Sequence, residues 1–196
     1  MERFKIQSQS SKNIKPIMLE AKQKRKENIA GYILYLFQVE DLIRAFKFNM
    51  ELIQKQLVSQ YYADEKTSGE ILEWYKNLAL MMGKEGVREK GHLQFLINQI
   101  EELNEFHLKL LESDEDKMYV QVFQGVAGLI TELKQKNISA ANDIQLCLDA
   151  VYGYLLLKMQ KKNITDETTD AVKRLSHWLG NISKLFKDFE AGELEI

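Results

Sequence analysis

The stretch Ile29-Ala-Gly-Tyr-Ile-Leu-Tyr-Leu-Phe-Gln-Val-Glu-Asp-Leu-Ile-Arg-Ala-Phe46 decides the fold class. Its apolar residues Ile29, Tyr32, Ile33, Leu36, Phe37, Val39, Ile43 and Phe46 recur at steps of three and four, the period of an α-helix. The pattern extends back to Ile17, and Pro16 suits the first turn of such a helix, where its missing N–H costs nothing. Because the stretch is apolar around most of its circumference, it predicts a central helix. Working outward, Asn49 can cap a second helix over 49–61 and Ile71, Trp74, Tyr75, Leu78, Met81 and Met82 mark a third over 70–82. Gly83 and Gly86 then interrupt the pattern as a turn or a kink. A fourth helix over 87–112 carries Leu93, Leu96, Ile97, Ile100, Leu103, Phe106, Leu110 and Leu111.

Ser113 followed by Asp114, Glu115 and Asp116 combines an N-cap with negative charge in a first turn, which starts a fifth helix over 114–136. Gly125 and Gly128 on it suggest close approach of a neighbour. Two stop-and-start signals follow, Lys134-Gln135-Lys136-Asn137-Ile138-Ser139 and Lys161-Lys162-Asn163-Ile164-Thr165. Lysines complement a helix carboxyl end, Asn adopts the left-handed turn, and Ser or Thr caps the next helix. Helices over 140–161 and 166–189 result, and connections this short make them antiparallel neighbours. The expectation is one all-α bundle of about six to seven mostly antiparallel helices over 17–189. A flexible N-terminal segment, 1–16, precedes it and a frayed acidic tail, 190–196, follows.

Composition narrows the function classes. Hydrophobic residues at 45% and charged residues at 29% describe a globular chain, and a single proline leaves its helices uninterrupted. One cysteine, Cys147, excludes an internal disulfide and a cysteine-based zinc site. Its apolar neighbours make it a small buried hydrophobe. No apolar run approaches the ~20 residues that span a bilayer, and the N-terminus lacks a signal-peptide core, so the sequence reads as cytoplasmic with no membrane partner. Residues 1–30 carry eight Lys and Arg against three Glu, leaving −7 of the net −2 to the remainder. Nucleic acid is nevertheless a poor fit, because the run Lys22 to Lys26 has no aromatic interleaving and matches no binding motif.

At 100° per residue, Glu40 and Arg44 fall among Ile29, Ile33, Leu36 and Ile43, with Asp41 at the margin of that face. They are four apart with Glu first, so an internal salt bridge is geometrically available. A core-facing pair of charges is either a structural bridge or a pocket in which Arg44 meets an anion or Glu40 and Asp41 meet a cation. Glu89 and His92 have the Glu-x-x-His spacing of carboxylate-bridged di-iron bundles, but such a site needs two copies and His107 and His177 supply none. No catalytic motif, metal set or cofactor signature is present. Trp74, Tyr75, Met81 and Met82 are a candidate interaction surface, against the ordinary reading of such a stripe as core.

Residues Lys24 to Ala45, KRKENIAGYILYLFQVEDLIRA, and within them Gln38-Val39-Glu40-Asp41-Leu42-Ile43-Arg44-Ala45, resemble the opening of an uncharacterised bacterial family catalogued as domain of unknown function 4924. The likeness runs from about Ile17 to Phe186. It implies a helical cytoplasmic protein and carries no activity, cofactor or catalytic residue with it. The functional expectation is a non-enzymatic interaction module, a homodimer or the binder of a protein partner. The alternative is a small-molecule or metal-binding protein, enzyme included, organised around Glu40, Asp41 and Arg44.

Overall fold

The computed structural model describes residues 17–61, 63–113, 117–136 and 140–196, and every regular element among them is helical. In order these are α1 (Ile17–Glu27), α2 (Ile29–Ala45), α3 (Met50–Gln56), α4 (Glu65–Lys84), α5 (Gln94–Glu112), α6 (Lys117–Lys136), α7 (Asp143–Met159) and α8 (Asp166–Glu190). One 3-10 turn, Val58–Tyr61, follows α3. None of these helices is long and apolar enough to cross a membrane.

There are eight helices among the described residues instead of six or seven, because the first predicted helix is two. Asn28 takes an extended conformation, φ −156°, and its side-chain oxygen accepts the Gly31 N–H at 2.8 Å. An Asn inside a continuous apolar period thus acts as the cap of a new helix. Asn49 caps α3 through Leu52 N–H (3.1 Å) and Thr165 caps α8 through Thr168 N–H (3.2 Å), as the sequence predicts. The polar stretch before residue 70 is the first turn of α4, capped by Asp64 through Thr67 N–H at 2.8 Å. Before α7 the cap is Asn142, which accepts from Gln145 N–H. The signals at Asp114–Asp116 and Asn137–Ser139, and the segment 1–16, lie outside the described residues.

Two local expectations are corrected. In the α7–α8 turn the left-handed residue is Lys161 (φ 53°) and not Asn163, because the reversal falls directly after Gln160, where Lys162 N–H reaches back to Leu157 C=O at 3.0 Å. Gly125 and Gly128 are exposed, and a Cβ at either would meet nothing within 4 Å, so no helix packs closely there.

Helix α2 touches α1, α4, α7 and α8. Ile33, Phe37 and Ile43 on α2, Ile144 and Leu148 on α7, and Trp178 and Ile182 on α8 are fully buried. Each contributes roughly 1.5–3 kcal/mol of apolar burial. The predicted fourth helix begins only at Gln94, and the seven residues before it, with Glu85 and Gly86, form an irregular strap between α4 and α5. Gly86 (φ 73°) and Gly91 (φ 85°) both sit in the left-handed region that a side chain disfavours. This strap crosses the face of α2 that carries Glu40 and Arg44.

Candidate functional site

The helical period of α2 turns Glu40 and Arg44 inward, and Glu40 is 1% exposed. The available bridge between them does not form. Each instead takes a different part of the strap, because the strap offers both kinds of unpaired backbone group. At its carboxyl end Leu93 precedes α5 without a side-chain cap of its own. Its N–H donates to Glu40 Oε1 at 2.9 Å, so a carboxylate from another helix caps α5 and meets the positive end of its dipole. Glu40 Oε2 accepts from His92 Nδ1–H at 2.6 Å. The next amide, Gln94 N–H, donates to Glu85 at 2.7 Å.

Arg44 holds the other half of the strap. Its Nη2 donates to Val87 C=O at 3.0 Å and to Gly91 C=O, while Nη1 pairs with Asp41 Oδ1 at 2.9 Å. Asp41 Oδ2 in turn accepts from the Tyr152 hydroxyl at 2.7 Å, which ties α2 to α7. Burial, and then the bond to Asp41, push the Tyr152 hydroxyl above its ordinary pKa, so it remains a donor. Under these groups lies Phe37. The His92 ring stacks on it (centroids 3.6 Å apart, planes 17°) and Tyr152 meets it edge-on at 5.6 Å. Asp149, one turn before Tyr152, has its carboxyl raised by burial, an effect the nearby His92 opposes.

The three histidines occupy different surroundings. His92 lies in the strap, so Glu89 and His92 do not share a helix face and the di-iron spacing has no helical geometry behind it. Among the described residues no three His, Cys, Asp or Glu side chains are grouped to hold a metal ion. His107 is buried, its Nδ1 2.5 Å from the Tyr119 hydroxyl, whose oxygen also accepts from Trp178 Nε1–H at 3.2 Å. His177 is exposed. The candidate interaction surface is corrected as well. Tyr75 and Met82 are fully buried, and only Trp74 and Met81 reach the surface in part, because this side of α4 faces the core. Within the basic run of α1, Arg25 makes a two-pronged bond to Glu190 on α8 (3.0 and 2.9 Å).

The family described as Domain of unknown function (DUF4924) matches residues 18–193. The chain belongs to this family. The DUF4924 match takes in Glu40, Asp41, Arg44, His92, Asp149 and Tyr152, so the whole cluster lies within the family's domain. Neither curated proteins nor solved structures give a match. Sequence reasoning identified the α2 members of the cluster, singled out His92 only for its spacing to Glu89 and not as a partner of Glu40, and missed Asp149 and Tyr152. Gly86 and Gly91 are the signal for the strap, since two glycines five apart bracket a segment that does not continue a helix. Nothing in the sequence marks Tyr152, which reads as one more apolar residue of α7.

Proposed function

We propose that this DUF4924 protein is a non-enzymatic helical interaction module that associates with itself. What supports the reading is the use made of its best-formed polar cluster. Glu40 accepts from Leu93 and His92, and Arg44 donates to Val87 and Gly91, so both core-facing charges serve the protein's own backbone. Groups committed in this way act as fasteners. Meanwhile Leu155, Leu157 and Met159 at the end of α7 are 40%, 42% and 46% exposed, apolar surface open to a partner. The helices form a single, mostly antiparallel bundle in this reading. Gln38 reaches Met159 while Asp41 reaches Tyr152, so the numbering rises on α2 as it falls on α7. A lone buried thiol suits a cytoplasmic setting. Light scattering on the purified chain tests the proposal: a dimer or larger species is expected. A strict monomer that retains no partner overturns it.

A second reading has one observation in its favour. With Nδ1 committed to Glu40, Nε2 is the ring nitrogen left for another partner, and the side chain is 21% exposed. Carboxylates orient histidines in this way as bases and as ligands. The site around Glu40, Asp41 and Arg44 then binds a small molecule or an ion. Native mass spectrometry of the protein and of His92→Ala decides: a species retained by the first and lost from the second supports this reading. A bare mass for the wild-type chain removes it.

A further inference from the structure

The strap between α4 and α5 is built differently from the helices it joins. Among the described residues, no backbone-to-backbone hydrogen bond involves residues 88–92. Arg88, Glu89, Lys90 and Gly91 are exposed, so little apolar burial holds them down. Apart from the Val87 N–H bond to Met82 C=O (3.0 Å) at its start, the strap is fastened by side chains: Arg44 on the carbonyls of Val87 and Gly91, Glu40 on His92 and the Leu93 amide, and the Arg88 guanidinium 4.7 Å above the Phe48 ring. Glycines in the left-handed region stand near both ends, at 86 and 91, where the backbone can turn without meeting a side-chain penalty. A segment with exposed residues, no ladder of its own and two hinge positions is the kind that opens below the free energy of global unfolding.

We propose that residues 86–92 form a latch that opens and closes while α2, α4 and α5 stay folded, with Arg44 and Glu40 as its two principal fasteners. Opening frees the Arg44 guanidinium from both carbonyls and uncovers Glu40 and the edge of Phe37. The polar cluster is therefore a gated surface, closed in the state described here. The device does not depend on self-association or on any ligand.

Hydrogen exchange of the intact wild-type protein, followed across a series of low denaturant concentrations, tests this directly. The Leu93 amide, buried and held by Glu40, is expected to exchange about tenfold or more faster than the buried amides of α5, with little dependence on denaturant, the signature of a local opening. In Arg44→Gln and in Arg44→Lys, which keeps the charge but loses the fork, strap exchange rises by about a further tenfold while exchange in the centres of α4 and α5 stays put. Exchange of the wild-type strap at the rate of the α5 core, with the same denaturant dependence, overturns the latch. So does acceleration of strap and helices by a common factor in a variant that folds.

Discussion

Glu40 on α2 caps a helix to which it does not belong: its carboxylate takes the Leu93 amide proton at 2.9 Å and holds the entry to α5. The same carboxylate orients His92, so one buried group joins a core helix, a connecting strap and a helix start. An anion at this place is favourable because the first amides of a helix lack partners and carry partial positive charge. Removing it leaves a buried N–H unsatisfied, which costs more than the bond itself contributes.

Glu40→Ala is therefore expected to destabilise the fold by roughly 2–4 kcal/mol, through the orphaned Leu93 amide and the cavity left behind. Glu40→Gln keeps one acceptor oxygen for the Leu93 amide but sets an NH2 donor in place of the oxygen that faces His92, so it should cost less than the alanine, about 1–2 kcal/mol. Urea unfolding of the three proteins checks the ranking; equal losses from both variants would show that the bond to the Leu93 amide is not what holds the strap.

Acid should weaken the fold through His107. Burial pushes its imidazole down to about 4, so the folded state keeps it neutral while the unfolded chain protonates near 6.5. Between those values the unfolded state binds more protons. The contribution is fully present above about pH 6.5 and is lost as pH falls toward 4, amounting to roughly 3 kcal/mol. Trp178 N–H donates to the Tyr119 oxygen, which directs the Tyr119 proton onto His107 Nδ1. His107→Asn offers an acceptor without a titrating ring, so its urea midpoint should change less over that range than that of the wild type.

Cys147 should be silent to thiol reagents in the native protein. It is fully buried, and burial pushes its thiol up to about 12, so almost no thiolate exists at neutral pH. Labelling with a chromogenic disulfide is expected only at the rate of unfolding, rising with denaturant. Rapid stoichiometric labelling of folded protein would contradict the packing around α7.

Glycine substitutions should split by position. Gly125→Ala on α6 meets nothing within 4 Å and replaces an exposed helical glycine, a gain of about 0.5–1 kcal/mol. Gly91→Ala forces a side chain into φ 85° within the strap and should cost about 1 kcal/mol or more. Thermal unfolding midpoints that move in opposite directions confirm the contrast.

Arg25→Ala tests the weight of the basic run in α1. Its pairing with Glu190 is two-pronged but partly exposed, so solvent limits the loss to about 1 kcal/mol or less. The effect should shrink as salt rises.

Much of this was legible from residue order. The period of Ile29 to Phe46 placed Glu40 and Arg44 on the core side of α2, and Asn49 and Thr165 were recognisable as caps, because side-chain direction and capping depend on neighbours three or four residues away. Asn28 shows the limit even there: an apolar period continuing past it concealed a helix break that its own side chain makes. Tyr75 and Met82, expected as possible surface, are core because burial depends on what packs against α4. Partner choice lay beyond the sequence altogether. Glu40 and Arg44 have the spacing of a salt bridge, yet they hold Leu93 and Gly91, about fifty residues away, because the chain between α4 and α5 passes over them with unpaired amides and carbonyls. Residue order alone located most of the helices and turned Glu40 and Arg44 toward the core. What those charges hold was settled by packing, since a buried ion or polar group takes the best partner within reach, and reach is set by the fold of the whole chain.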